Sequence, residues 1–253
     1  MSPAVRKTLR TLAVLGFWLL VWALAARAVG KELLLPSPLR VGQTLFALMR
    51  GRDFWLTILQ SILRVLTGLV AASVLGVLLA LLTHRNPLLN ALLSPVMALL
   101  KSTPVASFII LALVWLGRSV VPAVIAGLMV LPVVWANVTA GLSGVDRQLL
   151  ELAAVYRLPR LRVLRRIVWP AVLPHLRAAL RSALGLGWKA GIAAEVLTVP
   201  PYSIGKKIYE SKIYLETSEL FAWTAAVVCI SFLIEGLLLR LVGPEKREDG
   251  KHA

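Results

Sequence analysis

The chain has 253 residues, of which 58% are apolar and only 16% are charged, and its formal net charge is +16. Soluble domains contain about 45–50% apolar and about 25% charged residues, so this composition excludes an ordinary soluble domain. The apolar residues form long blocks, which predicts one polytopic, all-α membrane domain over residues 1–253. The basic residues are spread among loops without interleaved aromatics, so we expect them to meet lipid headgroups and not nucleic acid.

The first apolar block follows three basic residues and extends from residue 12 to residue 26. A signal peptide has this pattern, because its apolar core is short and small residues follow it. A first membrane span over residues 11–29 also fits, since at 1.5 Å per residue it would be about 28 Å long. We favour the retained span, and either interpretation places residue 30 outside.

Residues 30–54 contain prolines followed by apolar residues at helical spacing, which predicts a short helix in the membrane interface. Five further apolar blocks predict the remaining spans, at residues 55–83, 91–115, 120–140, 176–199 and 220–241. With both termini inside, the inner segments carry fifteen Lys and Arg residues and the outer segments carry eight. The positive-inside rule therefore predicts cytoplasmic termini and a cytoplasmic loop at residues 145–174.

This loop is predicted to form two short helices with a turn between them. Residues 147–156 contain strong helix formers with an apolar face. The chain should turn near Arg157, because the residue before Pro159 is biased away from helical backbone. Pro159 suits the start of a second helix, which we expect to end at Trp169 and Pro170 near the membrane interface.

The loop also carries the spacing E-A-A, three residues, G, nine residues, I-x-L-P, which resembles the cytoplasmic coupling loop of ABC importer permeases. Further matching stretches lie along most of the chain, namely LPSP at 35–38, SILRVLTG at 61–68, ALG at 183–185, Trp188 and AE at 194–195. Together they resemble permeases of the nitrate/sulfonate/taurine type. The loop positions assigned to ATPase coupling by this resemblance are Glu151, Ala153, Ala154, Arg157, Ile167 and Pro170.

The resemblance implies a six-span subunit of the bacterial inner membrane, paired as a homodimer and working by alternating access. It also implies two cytoplasmic ATPase subunits, an extracytoplasmic substrate-binding protein, and a small anionic solute such as nitrate, a sulfonate or taurine. Glu151 would be the charged contact with the ATPase, Ala153 would allow close approach, and the second helix would be held by Ile167 and Pro170. A self-contained secondary transporter or channel is the alternative.

The sequence departs from the family pattern at three positions of the loop. Arg157 stands where the family usually has glycine, which adopts a positive φ easily. Leu152 and Trp169 replace the usual alanine and leucine. We therefore expect a turn whose shape, and docking angle on the ATPase, can differ from those of the family.

Ionisable residues within membrane spans are costly and usually face protein or water. Arg64 and Glu195 lie at comparable depth in spans two and five, and we expect them to pair, either as part of an outer gate or as a structural salt bridge. Lys101 precedes Thr103 and Pro104, where the family carries a helix break. Lys101 could face the substrate pathway, or it could extend to a lipid headgroup.

Other chemistry has little support in the sequence. No G-x-x-x-x-G-K-[ST] loop occurs, so ATP hydrolysis is expected in a separate subunit. The three histidines are far apart and Cys229 is alone, so we expect no metal site, no catalytic site and no cofactor. Cys229 lies in an apolar run and is predicted to be buried. Gly185, Gly187 and Gly191 are predicted to allow close helix packing.

Overall fold

The computed structural model describes residues 3–242, which form eleven α-helices, one π-helical turn and no strand. The helices are α1 Pro3–Val29, α2 Pro38–Met49, α3 Arg52–Arg85, α4 Pro87–Ser102, α5 Val105–Trp115, α6 Val121–Ser143, α7 Arg147–Val155, α8 Arg160–Val163, the π-helical turn Leu164–Val168, α9 Trp169–Thr198, α10 Ile204–Ile213 and α11 Thr217–Val242. Three of the basic residues used to orient the chain, Lys246, Arg247 and Lys251, lie outside the described residues.

Four of the described helices are long and apolar enough to cross a membrane, namely α1, α3, α6 and α11. The pair α4 and α5 passes the same test only when the two helices are taken together. α9 is long enough, at 30 residues, but Lys189 and Glu195 interrupt its apolar run. The prediction of an all-α, polytopic membrane protein is confirmed, and the number of six spans stays a prediction.

The third apolar block is broken at the proline that was expected to interrupt it. Thr103 has a ψ of 134°, the extended backbone that a following proline favours. The hydroxyls of Ser102 and Thr103 donate to the carbonyl of Leu99, at 3.3 and 2.8 Å, and so satisfy an acceptor at the helix end. α4 and α5 meet at a bend of 108°, so the block becomes two helices of different direction.

α6 is the centre of the fold and packs between α3 and α9. Its residues Ile125, Val130 and Val134 are fully buried within the chain. Close approach depends on glycine, because a Cβ at Gly68 would lie 1.9 Å from the carbonyl oxygen of Ala123. The core is therefore a three-helix contact in which backbone, and not only side chains, is in van der Waals contact.

Two of the three glycines predicted on α9 have this packing role. A Cβ at Gly187 would lie 2.9 Å from the side chain of Val130, and one at Gly191 would lie 2.6 Å from that of Val65. A Cβ at Gly185 would meet nothing within 4 Å, so the prediction is wrong for this residue. Gly185 lies on the same helix but not on the face that meets α3 and α6.

The prediction that the second helix of the loop ends at Trp169 and Pro170 is wrong. α8, the π-helical turn and α9 form one helical run, because Val168 and Trp169 both have right-handed helical backbone. Pro170 has no N–H and its ring would clash with the preceding turn of a regular α-helix. The wider π-helical turn just before it relieves that clash, so the helical run continues through Pro170 into the rest of α9 without interruption.

The lateral surface of the chain is apolar and uncovered. None of the most apolar window of α1 is buried within the chain, and large side chains such as Phe17 and Trp18 are exposed on it. Cys229 on α11 is also exposed, so the prediction that it is buried is wrong. An apolar run in a membrane protein can face lipid as readily as it faces a protein core, and Cys229 lies on such a face.

Candidate functional site

The 147–170 segment connects α6 to α9 and begins with a well-formed helix. Asp146 caps α7, since its side chain accepts a hydrogen bond of 2.8 Å from the amide of Gln148. At the other end, the amide of Leu158 donates to the carbonyl of Ala153 at 2.9 Å, and the amide of Arg157 donates to that of Ala154 at 3.0 Å. This pair of bonds is a Schellman motif, the usual way to close a helix before a turn.

Arg157 occupies the left-handed position of this motif, with a φ of +48°. Glycine is the usual residue there, because a Cβ costs about 1–2 kcal/mol in left-handed backbone. The turn therefore lies where Pro159 predicted it and has the positive φ that the family's glycine suggests. Arginine adopts the conformation at some cost in stability.

The surface of the 147–170 segment is unusually apolar for a polar connection. Val155, the last residue of α7, is 78% exposed, and Tyr156, which follows it, is 71% exposed. Other exposed apolar side chains of the segment are Leu149, Leu150, Leu152, Leu161, Leu164 and Trp169. Glu151 is exposed and pairs with Arg147 at 3.2 Å, a contact that contributes little in water.

The remaining predicted coupling residues have different environments. Ala153 is only 4% exposed, because it packs against this chain, so its side chain is not part of the exposed surface. Ala154 and Pro170 are exposed and Ile167 is half-buried. The described structure thus supplies a surface that contains Glu151, Ala154 and Arg157, with Ala153 beneath it.

Arg64 and Glu195 lie together in a separate place, where α3 meets α9. The Arg64 guanidinium donates to Glu195 Oε1 at 2.5 Å, and Glu195 is 0% exposed. Ser61 Oγ and the amide of Gly205 donate to Oε2 of the same carboxylate, at 2.8 and 3.2 Å. A buried carboxylate with three donors is well satisfied, and the predicted pairing occurs within one chain.

The same contacts hold α10 against the membrane helices. The amide of Ile204 donates to Ser61 Oγ at 2.9 Å, and Arg64 donates to the carbonyl of Pro201 at 3.2 Å. A Cβ at Gly205 would lie 2.4 Å from the Cβ of Glu195, so only glycine allows this approach. We call these contacts the Glu195 network.

The connection from α9 to α10 has unfavourable backbone at two positions. Val199 and Tyr202 have φ values of +47° and +46°. A β-branched residue such as valine rarely adopts a left-handed conformation, so the surrounding contacts must hold it there. The Glu195 network supplies such contacts on both sides of the connection.

A charged contact also joins α10 to the start of α3. Lys207 Nζ lies 2.9 Å from the carboxylate of Asp53. The hydrogen bond to Asp53 raises the pKa of Lys207 above its ordinary value, although partial burial opposes this shift. The contact therefore stabilises α10 against α3 over the whole neutral pH range.

Lys101 lies elsewhere, at a cavity of about 400 Å³ between α4, α5, α6 and α9. Lys189 of α9 lines the same cavity, and the other walls are mainly apolar. Thr103 and Pro104 do not line it, and neither do Arg64 and Glu195. The residues predicted for a pathway or gate thus fall into two places, and Lys189 joins Lys101 although the sequence suggested no role for it.

Sequence reasoning found Ser61 only as a neighbour of Arg64 on one helix face, and it did not find Ile204 or Gly205. Ser61 precedes Arg64 by three residues, which is the helical signal that relates them. The amide of Ile204 contacts Ser61 of α3 from 143 residues away along the chain, and no local pattern indicates such a contact. The amide of Gly205 contacts Glu195 of α9, ten residues earlier, and this contact depends on how the chain turns between α9 and α10.

The chain is similar to known transport proteins along most of its length. Residues 72–243 match the family described as "Binding-protein-dependent transport system inner membrane component". The taurine transport system permease protein TauC of Escherichia coli (strain K12) is 26% identical over 242 residues, covering 93% of this chain and 86% of that protein. The bicarbonate transport system permease protein CmpB of Synechococcus elongatus is 27% identical over 241 residues, covering 88% of this chain and 83% of that protein.

The fold has a counterpart among solved structures. A chain of the MetNI methionine ABC transporter, solved in inward-facing conformations, superposes with a TM-score of 0.57 at 18% identity. The match covers 78% of this chain and 95% of that chain. Since the family match spans more than half of the sequence, the chain belongs to the binding-protein-dependent transport system inner membrane component family, and it is a multi-pass inner-membrane permease subunit of an ABC importer.

Proposed function

We propose that the chain crosses the membrane six times, through α1, α3, the α4–α5 pair, α6, α9 and α11, with both termini in the cytoplasm. α9 is about 45 Å long at 1.5 Å per residue, enough to cross the hydrocarbon core. It packs along the central helix α6 and also contacts α3, and its buried Glu195 is paired. Charges that are paired inside the protein do not prevent a helix from spanning the membrane.

In this topology the 147–170 segment lies on the cytoplasmic side and docks on an ATPase subunit. The observation that carries the proposal is the uncovered apolar surface of α7 around Glu151, which nothing in the described chain covers. A protein surface of this kind is typical of a contact with a partner. Because α8 continues through the π-helical turn into α9, a movement of the docked segment would reach the core of the membrane domain.

Two copies of the chain would form one central pathway, with two ATPase subunits below and an extracytoplasmic substrate-binding protein above. The sequence contains no phosphate-binding loop, so the ATPase is a separate chain. Nucleotide-driven closure of the ATPases would then open the pathway alternately to the two sides. The family description names a binding-protein-dependent system, which supports this assembly.

The transported solute is proposed to be a small anion. The relatives named above transport taurine and bicarbonate by their names, and both molecules carry an anionic group. Nitrate and aliphatic sulfonates belong to the same chemical class.

Reconstitution tests this function. The permease with its ATPase and binding protein should take up solute into vesicles only when ATP is present, whereas a channel or secondary transporter would work without the ATPase. Glu151→Arg should weaken ATPase association and lower uptake together. Glu210→Arg is the matched control, because Glu210 also forms an i,i+4 pair with a basic residue, Lys206, at 3.5 Å. ATP-independent uptake by the wild type would contradict the proposal.

A further inference from the structure

Two cations share one cavity in the membrane-embedded part of the fold. Lys101 is next to the end of α4, and Lys189 lies nine residues before the end of α9. Both line the cavity of about 400 Å³, together with apolar residues such as Val105, Met129 and Val133. No acidic residue lines this cavity, so its lining carries positive charge only.

Neither lysine has a compensating partner among the described residues. Of the ion pairs found between residues 3 and 242, none includes Lys101 or Lys189. The buried carboxylate on α9, Glu195, is already bound by Arg64, Ser61 and Gly205. Two like charges facing an apolar space repel each other, and a bound anion would remove that repulsion.

Contact with lipid headgroups does not account for both lysines. Lys189 is about 14 Å from the C-terminal end of α9 and about 30 Å from its N-terminal end, at 1.5 Å per residue. An extended lysine side chain reaches only about half of the shorter distance, so its charge stays at depth. An ionisable residue at depth usually lines a water-filled cavity or meets a partner.

We propose that Lys101 and Lys189 form an anion-binding position on the substrate pathway. This position would bind an oxyanion such as a sulfonate, bicarbonate or nitrate. This inference rests on the proposed function and adds the residues that recognise the solute. The lysine at the 108° break reaches the cavity from one side and the lysine of the continuous helix α9 reaches it from another. Small-molecule sites commonly combine apolar walls with a few charged groups, in cavities of about 300–1,000 Å³.

The site also suits a pathway that must release its ligand. Lysine binds an anion as a compact charge with rotatable donors and does not impose the fixed bidentate geometry of arginine. Apolar walls strengthen the attraction without adding directional bonds. Such a position attracts small anions of several shapes and leaves the choice among them to the binding protein.

Amine labelling of the purified transporter tests binding directly. Lys101 and Lys189 would be acetylated with a limiting reagent in the presence of methanesulfonate, bicarbonate or nitrate, and quantified by mass spectrometry. We expect at least one of the three probes to slow labelling at both lysines about threefold or more, because a bound anion covers both amines. Lys212 on α10 is the internal control and should not change. Equal slowing at all three lysines, or slowing at none, would overturn the inference.

A second experiment measures ATP-dependent uptake by matched lysine variants. Lys101→Gln and Lys189→Gln should each lower ATP-dependent uptake of anion about tenfold, since each removes a charge-assisted contact. Arginine at either position should retain most of the uptake, and Lys212→Gln should retain all of it. If both glutamine variants transport like the wild type while ATP dependence is intact, the anion position is wrong and the proposed function stands. If labelling shows protection but the wild type needs no ATPase, the proposed function is wrong instead.

Discussion

The Glu195 network and the 147–170 segment differ in how their polar and apolar groups are buried. In the network, a fully buried carboxylate has three donors from the same chain, and even the backbone of α10 takes part. In the segment, the ion pair of Glu151 is exposed to solvent and apolar side chains such as Val155 are uncovered. The polar groups of the network are satisfied within one chain, whereas the segment leaves apolar side chains uncovered, as the proposed docking on an ATPase requires.

This difference separates residues that stabilise the fold from residues that contact a partner protein in the proposed assembly. Removing one member of a buried, satisfied pair leaves an uncompensated charge, so the effect falls on stability. Removing an exposed apolar side chain leaves the chain's own contacts intact, so the effect falls on association. The experiments below use this contrast, from the largest expected effect to the smallest.

Arg64→Gln should have the largest effect on stability. It leaves the buried carboxylate of Glu195 without its cation, which costs about 3–5 kcal/mol in comparable sites. The double variant Arg64→Gln/Glu195→Gln should regain a substantial part of the lost stability, because the side-chain amide introduced at position 195 has no charge and keeps an oxygen that accepts from Ser61 and Gly205. The stability of both variants is measured by thermal unfolding in detergent. Losses that simply add in the double variant would show that the two residues are not coupled.

Gly205→Ala should separate α10 from α9. The new Cβ would lie 2.4 Å from the Cβ of Glu195, and backbone must move to admit it. We expect a loss of about 1–3 kcal/mol, as for other overpacked sites. Gly185→Ala is the matched control on α9, since a Cβ there meets nothing within 4 Å. Equal melting temperatures for the two variants would contradict the close contact.

Tyr156→Ser should weaken association with the ATPase about tenfold and change thermal stability by less than about 0.5 kcal/mol. Tyr214→Ser is the control, because both tyrosines follow a short helix and both are 71% exposed. Only Tyr156 lies in the 147–170 segment. Co-purification of the ATPase measures association. If the two variants bind the ATPase equally, α7 is not the docking surface.

Arg157→Gly should have the smallest effect and should be stabilising. Glycine adopts the φ of +48° without strain, and part of this gain is offset by its greater freedom when unfolded, leaving about 0.5–1 kcal/mol. Leu215→Gly, at a position with a φ of +59°, should raise the melting temperature in thermal unfolding by a similar amount. ATPase association that falls for Arg157→Gly alone would show that the arginine side chain itself contacts the partner.

Several features could be predicted from local sequence, because they depend on neighbouring residues. Pro104 and Pro159 indicate where helices break, since each restricts the residue before it. The depth of Arg64 and Glu195 follows from counting along apolar blocks. The positive φ at Arg157 was not predicted, because arginine rarely adopts it and its presence in place of glycine indicated a turn of different shape. The continuous helix through Trp169 and Pro170 was missed, because a π-helical turn has no simple sequence signal.

The sequence by itself determined that this protein is helical, lies in a membrane and carries one polar connection suited to a partner. These properties follow from composition and from spacing along a single helix. The tertiary structure alone decided that α10 closes over Glu195, that Lys189 joins Lys101 at one cavity, and that Cys229 faces outward. Each of these depends on which helices lie side by side, and that is set by the packing of glycine faces far apart in the chain.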